Sequence, residues 1–143
     1  EFWAEDFFAV FPQDDVHAKL DKINADELAT ANLMLLGEGH CLTDQTLTVC
    51  HFDRAQMKSS FSDASLNTLI QMALANMGTT LVPEMALDQL HLQNQNAVAV
   101  PLAEKGPHRH IAFVTRLNYA RVDDVNLLGQ LFKQAFEEAD HKK

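Results

Sequence analysis

The chain has 143 residues, and 47% of them are apolar, which is enough for one domain with a hydrophobic core. It carries 11 basic and 20 acidic residues, a net charge of −9, so the phosphates of DNA would repel its surface and the chain alone is not expected to bind DNA. With no apolar run near ~18 residues, no signal-peptide pattern and no initiating Met, the chain is expected to be a fragment of a cytoplasmic protein.

Strands and helices alternate along the first part of the chain. An apolar run over 7–11, closed by Pro12, predicts a buried strand, because proline cannot donate a hydrogen bond to a neighbouring strand. A turn at 13–15 and a short capped helix over 24–28 are predicted next. A second apolar run over 33–36 has the length of a strand and ends just before a glycine.

The alternation continues in the second part of the chain. Apolar residues at helical spacing over 66–77 predict a helix capped by Ser65 or Asp63, with Gly78 in the left-handed position after its end. Such an alternation is typical of an α/β fold. The remaining predicted elements are a connector without periodicity over 51–62, strands over 79–82, 97–102 and 111–115, a helix that begins at Pro83, and a final amphipathic helix over 125–136.

The two cysteines of the chain, Cys41 and Cys50, are nine residues apart. Zinc knuckles and CxxC redox motifs keep their sulfurs about two to four residues apart, so neither fits. In a helix this spacing would separate the two Cα atoms by roughly 13 Å, whereas a disulfide tolerates about 4.4–6.8 Å. A disulfide between them would therefore require the segment to rearrange. The alternative is that both cysteines are small buried hydrophobic residues, the commonest fate of intracellular cysteine.

The surroundings of Cys41 favour a reactive thiolate. Cys41 follows the flexible stretch 37–39 and His40, where Asp44 and neighbouring apolar residues predict the start of a helix. Helix N-terminal amides and a nearby imidazolium both stabilise a thiolate over a thiol. Peroxide would then oxidise the sulfur to a sulfenic acid, which a second thiol within reach would convert to a disulfide.

Seven histidines raise the question of a metal site, above all His108 and His110, which alternate like one face of a strand. No third ligand of matching spacing accompanies them, so they are interpreted as surface histidines, and no metal is expected. Cys41 and His40 have the composition of a cysteine-hydrolase pair, but a catalytic imidazole usually lies far along the chain from its nucleophile. The chain is therefore not expected to be an enzyme, and no cofactor is expected.

The segment 39–45, Gly-His-Cys-Leu-Thr-Asp-Gln, together with Cys50, closely resembles the redox segment of OxyR-type peroxide sensors. These sensors are a branch of the LysR-type bacterial transcription regulators. The similarity continues in the Ser-Leu-x-Thr-Leu helix at 65–72, the strand at 78–83 and the returning strand at 107–114, and it extends over nearly the whole chain. Most LysR-type regulators lack the cysteine segment, so that segment is the more specific signal.

By this resemblance, the fold is a LysR effector module similar to periplasmic binding proteins, which have two α/β subdomains. Residues 1–107 would be most of the second subdomain, with the redox segment at 39–62, and residues 108–143 would be the returning strand and helix of the first. The DNA-binding domain and the other half of the first subdomain are absent from the chain. That half would normally cover the last helix, so Leu128, Phe132 and Phe136 are expected to be exposed or paired with another chain.

The resemblance also implies a role for each residue of the redox segment. Cys41 would be the peroxide-reactive thiol and Cys50 the resolving thiol. His40 would donate to a peroxide oxygen or stabilise the thiolate. Asp44 would accept a hydrogen bond on the leaving-group side of the peroxide or cap the start of the helix. Arg109 would hold the thiolate or, later, the rearranged loop. For His40 and Arg109, the alternative is a solvated side chain without a role in the chemistry.

The expected function is the redox-sensing regulatory domain of a hydrogen-peroxide-responsive transcription activator. Reduced Cys41 would attack H2O2, leave an apolar niche as the sulfenic acid and be captured by Cys50, while the helix between them unwinds. A reducing cytosol makes the dithiol the expected resting state. The expected partners are hydrogen peroxide, DNA through the absent N-terminal domain, further copies in a homodimer or homotetramer, and RNA polymerase, but no membrane.

Two other functions are weighed against this one. The main alternative is a LysR-type effector domain that binds a small metabolite in the cleft between the subdomains and has incidental cysteines. A thiol peroxidase is the weaker alternative, because a peroxidase needs a turnover cycle and nothing in the sequence indicates recruitment of a reductase.

Overall fold

The computed structural model describes residues 1–37, 40–53, 60–61, 64–90 and 96–140. The chain divides into two compact units, one formed by residues 5–108 and the other by residues 1–4 and 109–143. The strands are β1 Trp3–Glu5, β2 Phe7–Pro12, β3 Leu35–Leu36, β4 Ser60–Phe61, β5 Thr80–Pro83, β6 Ala97–Pro101 and β7 Arg109–Ile111. The α-helices are α1 Ala25–Thr30, α2 Cys41–Val49, α3 Leu66–Leu74, α4 Leu87–Leu90 and α5 Val122–Asp140.

A three-stranded antiparallel sheet forms the centre of the larger unit, in the order β5-β2-β6. Ala9, in the middle of β2, pairs with Leu81 of β5 on one side and Val100 of β6 on the other. Five of the six residues of β2 are buried, as the apolar run over 7–11 predicts. The mixture of helices and sheets confirms the predicted α/β class.

The two faces of this sheet carry two different hydrophobic clusters. Successive residues of a strand point to opposite faces, and Phe7, Ala9 and Phe11 belong to one cluster while Val10 belongs to the other. Helix α2 contributes Cys50 and apolar neighbours to the first cluster. Helix α3 contributes Ile70 to the second. The side chains of α2 and α3 therefore pack in separate clusters, one on each face.

Helix α1 begins with a complete capping box, as the sequence predicts for its start. The Asn24 side chain accepts a hydrogen bond from the Glu27 N–H at 2.9 Å, and the Glu27 carboxylate accepts one from the Asn24 N–H at 2.9 Å. A second carboxylate, that of Glu104, accepts a hydrogen bond from the Ala25 N–H at 2.7 Å. The first turn of α1 thus has acceptors for N–H groups that lack a partner inside the helix.

Helix α3 starts at the predicted residue but ends earlier than predicted. Ser65 caps its start by accepting the Thr68 N–H at 3.2 Å, whereas the alternative cap Asp63 lies outside the described residues. The helix ends at Leu74 because Asn76, with φ of 60°, already adopts the left-handed conformation. The prediction that Gly78 follows the helix end directly is therefore wrong.

The end of α3 is a Schellman motif, in which two N–H groups after the helix bond back to carbonyls of its last turn. The Asn76 N–H donates to the Ala73 carbonyl at 3.0 Å, and the Met77 N–H donates to the Met72 carbonyl at 3.1 Å. Gly78 has φ of 153°, and a Cβ there would lie 2.3 Å from the backbone oxygen of Asn32. Glycine is required at 78 by this close approach rather than by the helix end.

Three other predicted elements differ from the structure. The helix predicted from Pro83 is a 3-10 turn over Glu84–Ala86 followed by the short α4. The strand predicted over 111–115 is β7, which spans Arg109–Ile111 instead. The connector predicted over 51–62 contains β4, which pairs in parallel with β3; its residues 54–59 and 62 lie outside the described part of the chain.

The smaller unit consists of β7, α5 and the N-terminal residues, joined by aromatic contacts. The ring of Phe2 stacks on that of Phe113 with centroids 4.7 Å apart, and Trp3 stacks on Phe136 at 4.8 Å. Leu128 and Phe132 are 46% and 45% exposed, as expected, whereas Phe136 is half-buried beside Trp3. None of the helices in the described part of the chain has the length and apolar character needed to span a membrane.

Candidate functional site

Helix α2 begins at Cys41, five positions after the last residue of β3, and Cys50 is the first residue after its C-terminal end. The Thr43 hydroxyl donates a buried hydrogen bond of 3.0 Å to the carbonyl of Leu36, the last residue of β3. This bond fixes the first turn of α2 to the end of the strand. The helix predicted between the two cysteines is therefore present, and both cysteines are free thiols.

The two cysteines lie on opposite faces of α2. Each residue of a helix advances by about 100°, so nine residues amount to about two and a half turns. Thr43, Thr46 and Cys50 form the buried face, with exposures of 4%, 0% and 4%. Cys41 lies on the other face and is exposed. The sulfurs are thus separated both along the axis, by roughly 13 Å between Cα atoms, and around it.

The exposure of Cys41 contradicts one expectation. The sequence-based mechanism places the reactive thiol in an apolar niche, which it leaves after oxidation, but Cys41 is exposed before any oxidation. The apolar surroundings belong to Cys50, which packs in the first hydrophobic cluster with Leu42, Leu47 and Phe52 at its margin. An oxidant can therefore reach Cys41 without a prior opening of the fold, whereas Cys50 is shielded.

Burial keeps the Cys50 thiol protonated. Removal of the sulfur from water, and second the negative charge of Glu104, raise the pKa of Cys50 from 9.0 to about 12. The carboxylate of Glu104 is held by the Ala25 N–H through Oε1, while its Oε2 is buried without a hydrogen-bond partner among the described residues. Cys50 is therefore a neutral thiol in this state, and a poor nucleophile until it leaves the cluster.

The C-terminal end of α2 is closed by a Schellman motif, like that of α3. The His51 N–H donates to the Thr48 carbonyl at 3.4 Å, and the Phe52 N–H donates to the Leu47 carbonyl at 3.0 Å. His51 has φ of 54°, which places a residue with a Cβ in the left-handed region. We refer to His51 and Phe52, with these two hydrogen bonds, as the α2 cap.

The N-terminal end of α2 lacks a comparable side-chain cap. His40 occupies the capping position with an exposed side chain that makes no capping hydrogen bond, and its carbonyl accepts the Thr43 N–H at 3.0 Å. Asp44 lies in the first turn, where a negative charge interacts favourably with the helix dipole, and its carbonyl accepts the Thr48 hydroxyl at 2.8 Å. The peroxide-binding roles of His40 and Asp44 stay predictions.

Arg109 does not belong to the same unit of the fold as the cysteines. It is the first residue of β7 in the smaller unit, where it is half-buried, whereas Cys41 and Cys50 lie in the larger unit. Its predicted contact with the Cys41 sulfur stays a prediction.

His108 is buried, so its interpretation as a surface histidine is wrong. Its Nδ1 accepts a hydrogen bond from the Phe7 N–H at 2.9 Å, and its Nε2 lies 3.0 Å from the Glu104 carbonyl oxygen. Both ring nitrogens therefore have partners within the fold. The ring of His110 is exposed and lies 2.6 Å from the Glu1 carboxylate. In the described part of the chain, no group of three or more His, Cys, Asp or Glu side chains could hold a metal ion.

Three features of the site have no counterpart in the sequence analysis: the Glu104 carboxylate, the buried hydroxyl of Thr46 and the α2 cap. Thr46 Oγ1 is buried and has no hydrogen-bond partner among the residues described. A sequence signal exists only for the cap, because apolar Leu47 and Phe52 stand five residues apart, the spacing of the hydrophobic contact that often accompanies a Schellman motif. The buried position of the Glu104 carboxylate depends on the packing of distant segments, so no local pattern in the sequence predicts it.

A family model described as the LysR substrate binding domain matches residues 1–137. The chain belongs to this family. As a LysR-family chain it is 30% identical over 130 residues to the HTH-type transcriptional regulator EstR of Acinetobacter baylyi, a match that covers 91% of this chain and 43% of EstR. It is 34% identical over 134 residues to a probable hydrogen peroxide-inducible genes activator of Mycobacterium avium, covering 89% and 42%. The chain thus spans less than half the length of these curated relatives.

The fold is similar to that of a solved LysR-family domain. The reduced form of the regulatory domain of OxyR2 from Vibrio vulnificus has a TM-score of 0.78 and 30% sequence identity, over 93% of this chain and 62% of that chain. Together with the relatives, this match confirms the resemblance to LysR-type regulators of the OxyR branch and the fold expected from it.

Proposed function

We propose that the chain is the regulatory part of a transcription activator that responds to hydrogen peroxide, with Cys41 as the sensing thiol and Cys50 as the resolving thiol. The Cys41 thiolate attacks one oxygen of H2O2, the O–O bond breaks, and the products are a sulfenic acid and hydroxide. Cys50 then displaces the hydroxyl from the Cys41 sulfur, a disulfide forms, and water leaves with the Cys50 proton. Two thiols and one peroxide thus give one disulfide and two waters.

The observation that supports this proposal best is the unequal placement of the two thiols on one helix. Cys41 is exposed at the first residue of α2, where an oxidant can reach it. Cys50 is buried at the other end and stays protonated. This difference in exposure fits the separate tasks of a sensing thiol, which must meet peroxide, and a resolving thiol, which acts later. The relatives named as peroxide-inducible activators support the same function.

The disulfide is a signal rather than a product. Because α2 cannot persist with Cys41 and Cys50 bonded, oxidation unwinds it and changes the surface of the larger unit. We infer that this change alters the arrangement of copies in a homodimer or homotetramer. The DNA contacts of an N-terminal domain, and those with RNA polymerase, change with that arrangement. We infer that the chain is a sensor and not an enzyme, because nothing in its sequence indicates recruitment of a reductase for repeated turnover, and the thiol chemistry needs no cofactor.

The division of the chain into units supports a domain assignment. We propose that residues 1–107 are most of the second regulatory subdomain, with the redox segment at 39–62, and that residues 108–143 are the returning part of the first. The structural boundary between the units falls after residue 108, and the smaller unit also includes residues 1–4.

The rate of thiol loss with peroxide tests the proposal. Cys41 should react with H2O2 much faster than a free cysteine, and the loss of both thiols should follow from one equivalent of peroxide. The Cys50→Ser variant is the matched control, since it should consume the same peroxide and lose one thiol only. Reaction of the unmodified chain at the rate of free cysteine would contradict a sensing role.

A second function is favoured by one observation, the match to a substrate binding domain model and to EstR, whose name does not refer to peroxide. In that case a small metabolite would bind in the cleft between subdomains, and the cysteines would be incidental. The same kinetic experiment separates the two functions, because a metabolite-binding domain has no reason to react rapidly with peroxide.

A further inference from the structure

The α2 cap lies immediately after the resolving thiol. Cys50 is followed by His51 and Phe52, whose N–H groups donate to the Thr48 and Leu47 carbonyls at 3.4 and 3.0 Å. Phe52 also packs at the margin of the cluster that buries Cys50. The hydrogen bonds of the α2 cap and the packing of Phe52 thus hold the short segment 50–52, which begins with Cys50.

We propose that opening of the α2 cap controls the release of Cys50, and hence the rate at which the Cys41 sulfenic acid becomes a disulfide. This inference rests on the proposed function and adds the element that sets the rate of its second step, the formation of the disulfide. In that step the sulfur of Cys50 bonds to the sulfur of Cys41, the S–O bond breaks, and the hydroxyl leaves as water with the proton of Cys50.

The geometry requires a large movement of one of the two sulfurs. Cys50 is 4% exposed on the face of α2 opposite Cys41, and the Cα atoms are roughly 13 Å apart. If Cys50 moves out, its backbone must turn, and the hydrogen bonds of the two following residues cannot survive that turn. If the first turn of α2 unravels instead and carries Cys41 inward, the cap can stay closed. These two routes make opposite predictions for changes in the cap.

His51 makes the cap less stable than it could be. Its φ of 54° lies in the left-handed region, which is unfavourable for a residue with a Cβ and without cost for glycine. Helices that end in this motif most often have glycine at this position. A cap with histidine closes the reduced helix but opens more readily than one with glycine, which suits a segment that must release Cys50 after oxidation.

The first variant, His51→Gly, should stabilise the closed cap. We expect disulfide formation about three- to fivefold slower than in the unmodified chain, since ~1 kcal/mol corresponds to about fivefold. The rate of sulfenic acid formation at Cys41 should stay unchanged. The His51→Ala variant keeps the Cβ and removes the imidazole, so its disulfide formation should not be slowed. It therefore separates the effect of the backbone conformation at 51 from that of the imidazole. Phe52→Ala loosens the cap and should accelerate the disulfide step at least about fivefold.

The chain provides a matched control at the end of α3. Asn76 occupies the equivalent left-handed position with φ of 60° in the same type of motif, remote in sequence from the cysteines. Asn76→Gly should therefore stabilise the fold without changing either rate. Sulfenic acid is measured by dimedone labelling in the Cys50→Ser background, and the disulfide by rapid quenching at saturating peroxide followed by mass spectrometry under non-reducing conditions.

The results separate this inference from the proposed function. The inference is supported if disulfide formation is slower in His51→Gly but not in Asn76→Gly, and if the rate of sulfenic acid formation is unchanged. Unchanged disulfide rates in both His51→Gly and Phe52→Ala, or equal slowing in Asn76→Gly, overturn the inference and leave the sensing function intact. Absence of sulfenic acid in the Cys50→Ser chain overturns the proposed function, and this inference with it.

Discussion

At the scale of single residues, burial divides the two cysteines. Cys50 is 4% exposed within the first hydrophobic cluster, and its thiol is neutral because burial and the charge of Glu104 raise its pKa to about 12. Cys41 is exposed at the first residue of α2. On the proposed mechanism, oxidation therefore begins at Cys41, and Cys50 acts only after it has left the cluster.

The raised pKa of Cys50 predicts a loss of stability at high pH. The pKa is 9.0 without the folded environment and about 12 within it, so above pH 9 the unfolded chain binds fewer protons than the folded one. The stabilisation is complete below pH 9 and is lost as the pH rises from 9 to 12, by up to ~1.4 kcal/mol per pH unit. Urea unfolding of the reduced chain and of Cys50→Ala at pH 8 to 11 measures the difference. Parallel pH profiles for the two chains would refute the burial of a neutral thiol.

The two cysteines should also differ in their response to peroxide. Cys50→Ser should still form a sulfenic acid that dimedone labels, because Cys41 remains exposed. Cys41→Ser should be nearly inert, because the remaining thiol is buried and protonated. Equal labelling of the two variants would show that the sensing and resolving roles are not divided as proposed.

At the scale of elements, α2 is held to the fold by a buried side-chain hydrogen bond and by apolar packing. Thr43 and Thr46 lie one turn apart on the same buried face, and the Thr43 hydroxyl donates to the Leu36 carbonyl. Thr46 Oγ1 is buried without a hydrogen-bond partner among the described residues. The same substitution at these two positions therefore isolates the value of the hydrogen bond.

Valine has nearly the shape of threonine but no hydroxyl, so the two variants have different expected effects. Thr43→Val should lower the free energy of unfolding by ~1–3 kcal/mol, because the Leu36 carbonyl loses its buried donor. Thr46→Val should be neutral or stabilising, since a buried hydroxyl without a partner is replaced by a methyl group. Equal losses in the two variants, measured by urea unfolding of the reduced chain, would contradict the difference in hydrogen bonding.

The sequence predicts the elements of the fold better than their ends. The apolar run of β2 and the capping residues of α1 are local signals, and both elements are present. The end of α3 was misplaced because the left-handed residue is Asn76 rather than glycine, and asparagine is a weaker signal for that conformation. The strand over 111–115 was misplaced because its residues after Ile111 form no strand pairs in the structure.

The candidate site could be predicted in part, because local signals in the sequence indicate its helix but not how that helix packs. Spacing and motif indicate α2 and its two cysteines, and helical periodicity places them on opposite faces. Which face is buried depends on the packing of α2 in the first hydrophobic cluster, and a sequence without clear amphipathic asymmetry does not show it. The raised pKa of Cys50 is not predictable either, because it depends first on the burial of the thiol and second on Glu104, which is 54 positions away along the chain.

At the scale of the whole molecule, the cysteines belong to the larger unit and the apolar helix α5 belongs to the smaller one. Leu128 and Phe132 of α5 remain about half exposed, while the cluster that contains Cys50 is closed. The net charge of −9 disfavours contact with the phosphates of DNA. Under the proposed function, oxidation therefore acts through a change of shape, and α2 is the element whose shape a disulfide must change.

The most direct test of this mechanism is to map the product of one equivalent of hydrogen peroxide by peptide mass spectrometry under non-reducing conditions. The predicted result is a disulfide between Cys41 and Cys50 within one chain, formed with the loss of both thiols and of the helical circular dichroism that α2 contributes. Unreacted thiols at stoichiometric peroxide, or disulfides only between chains, would contradict the proposed sensor.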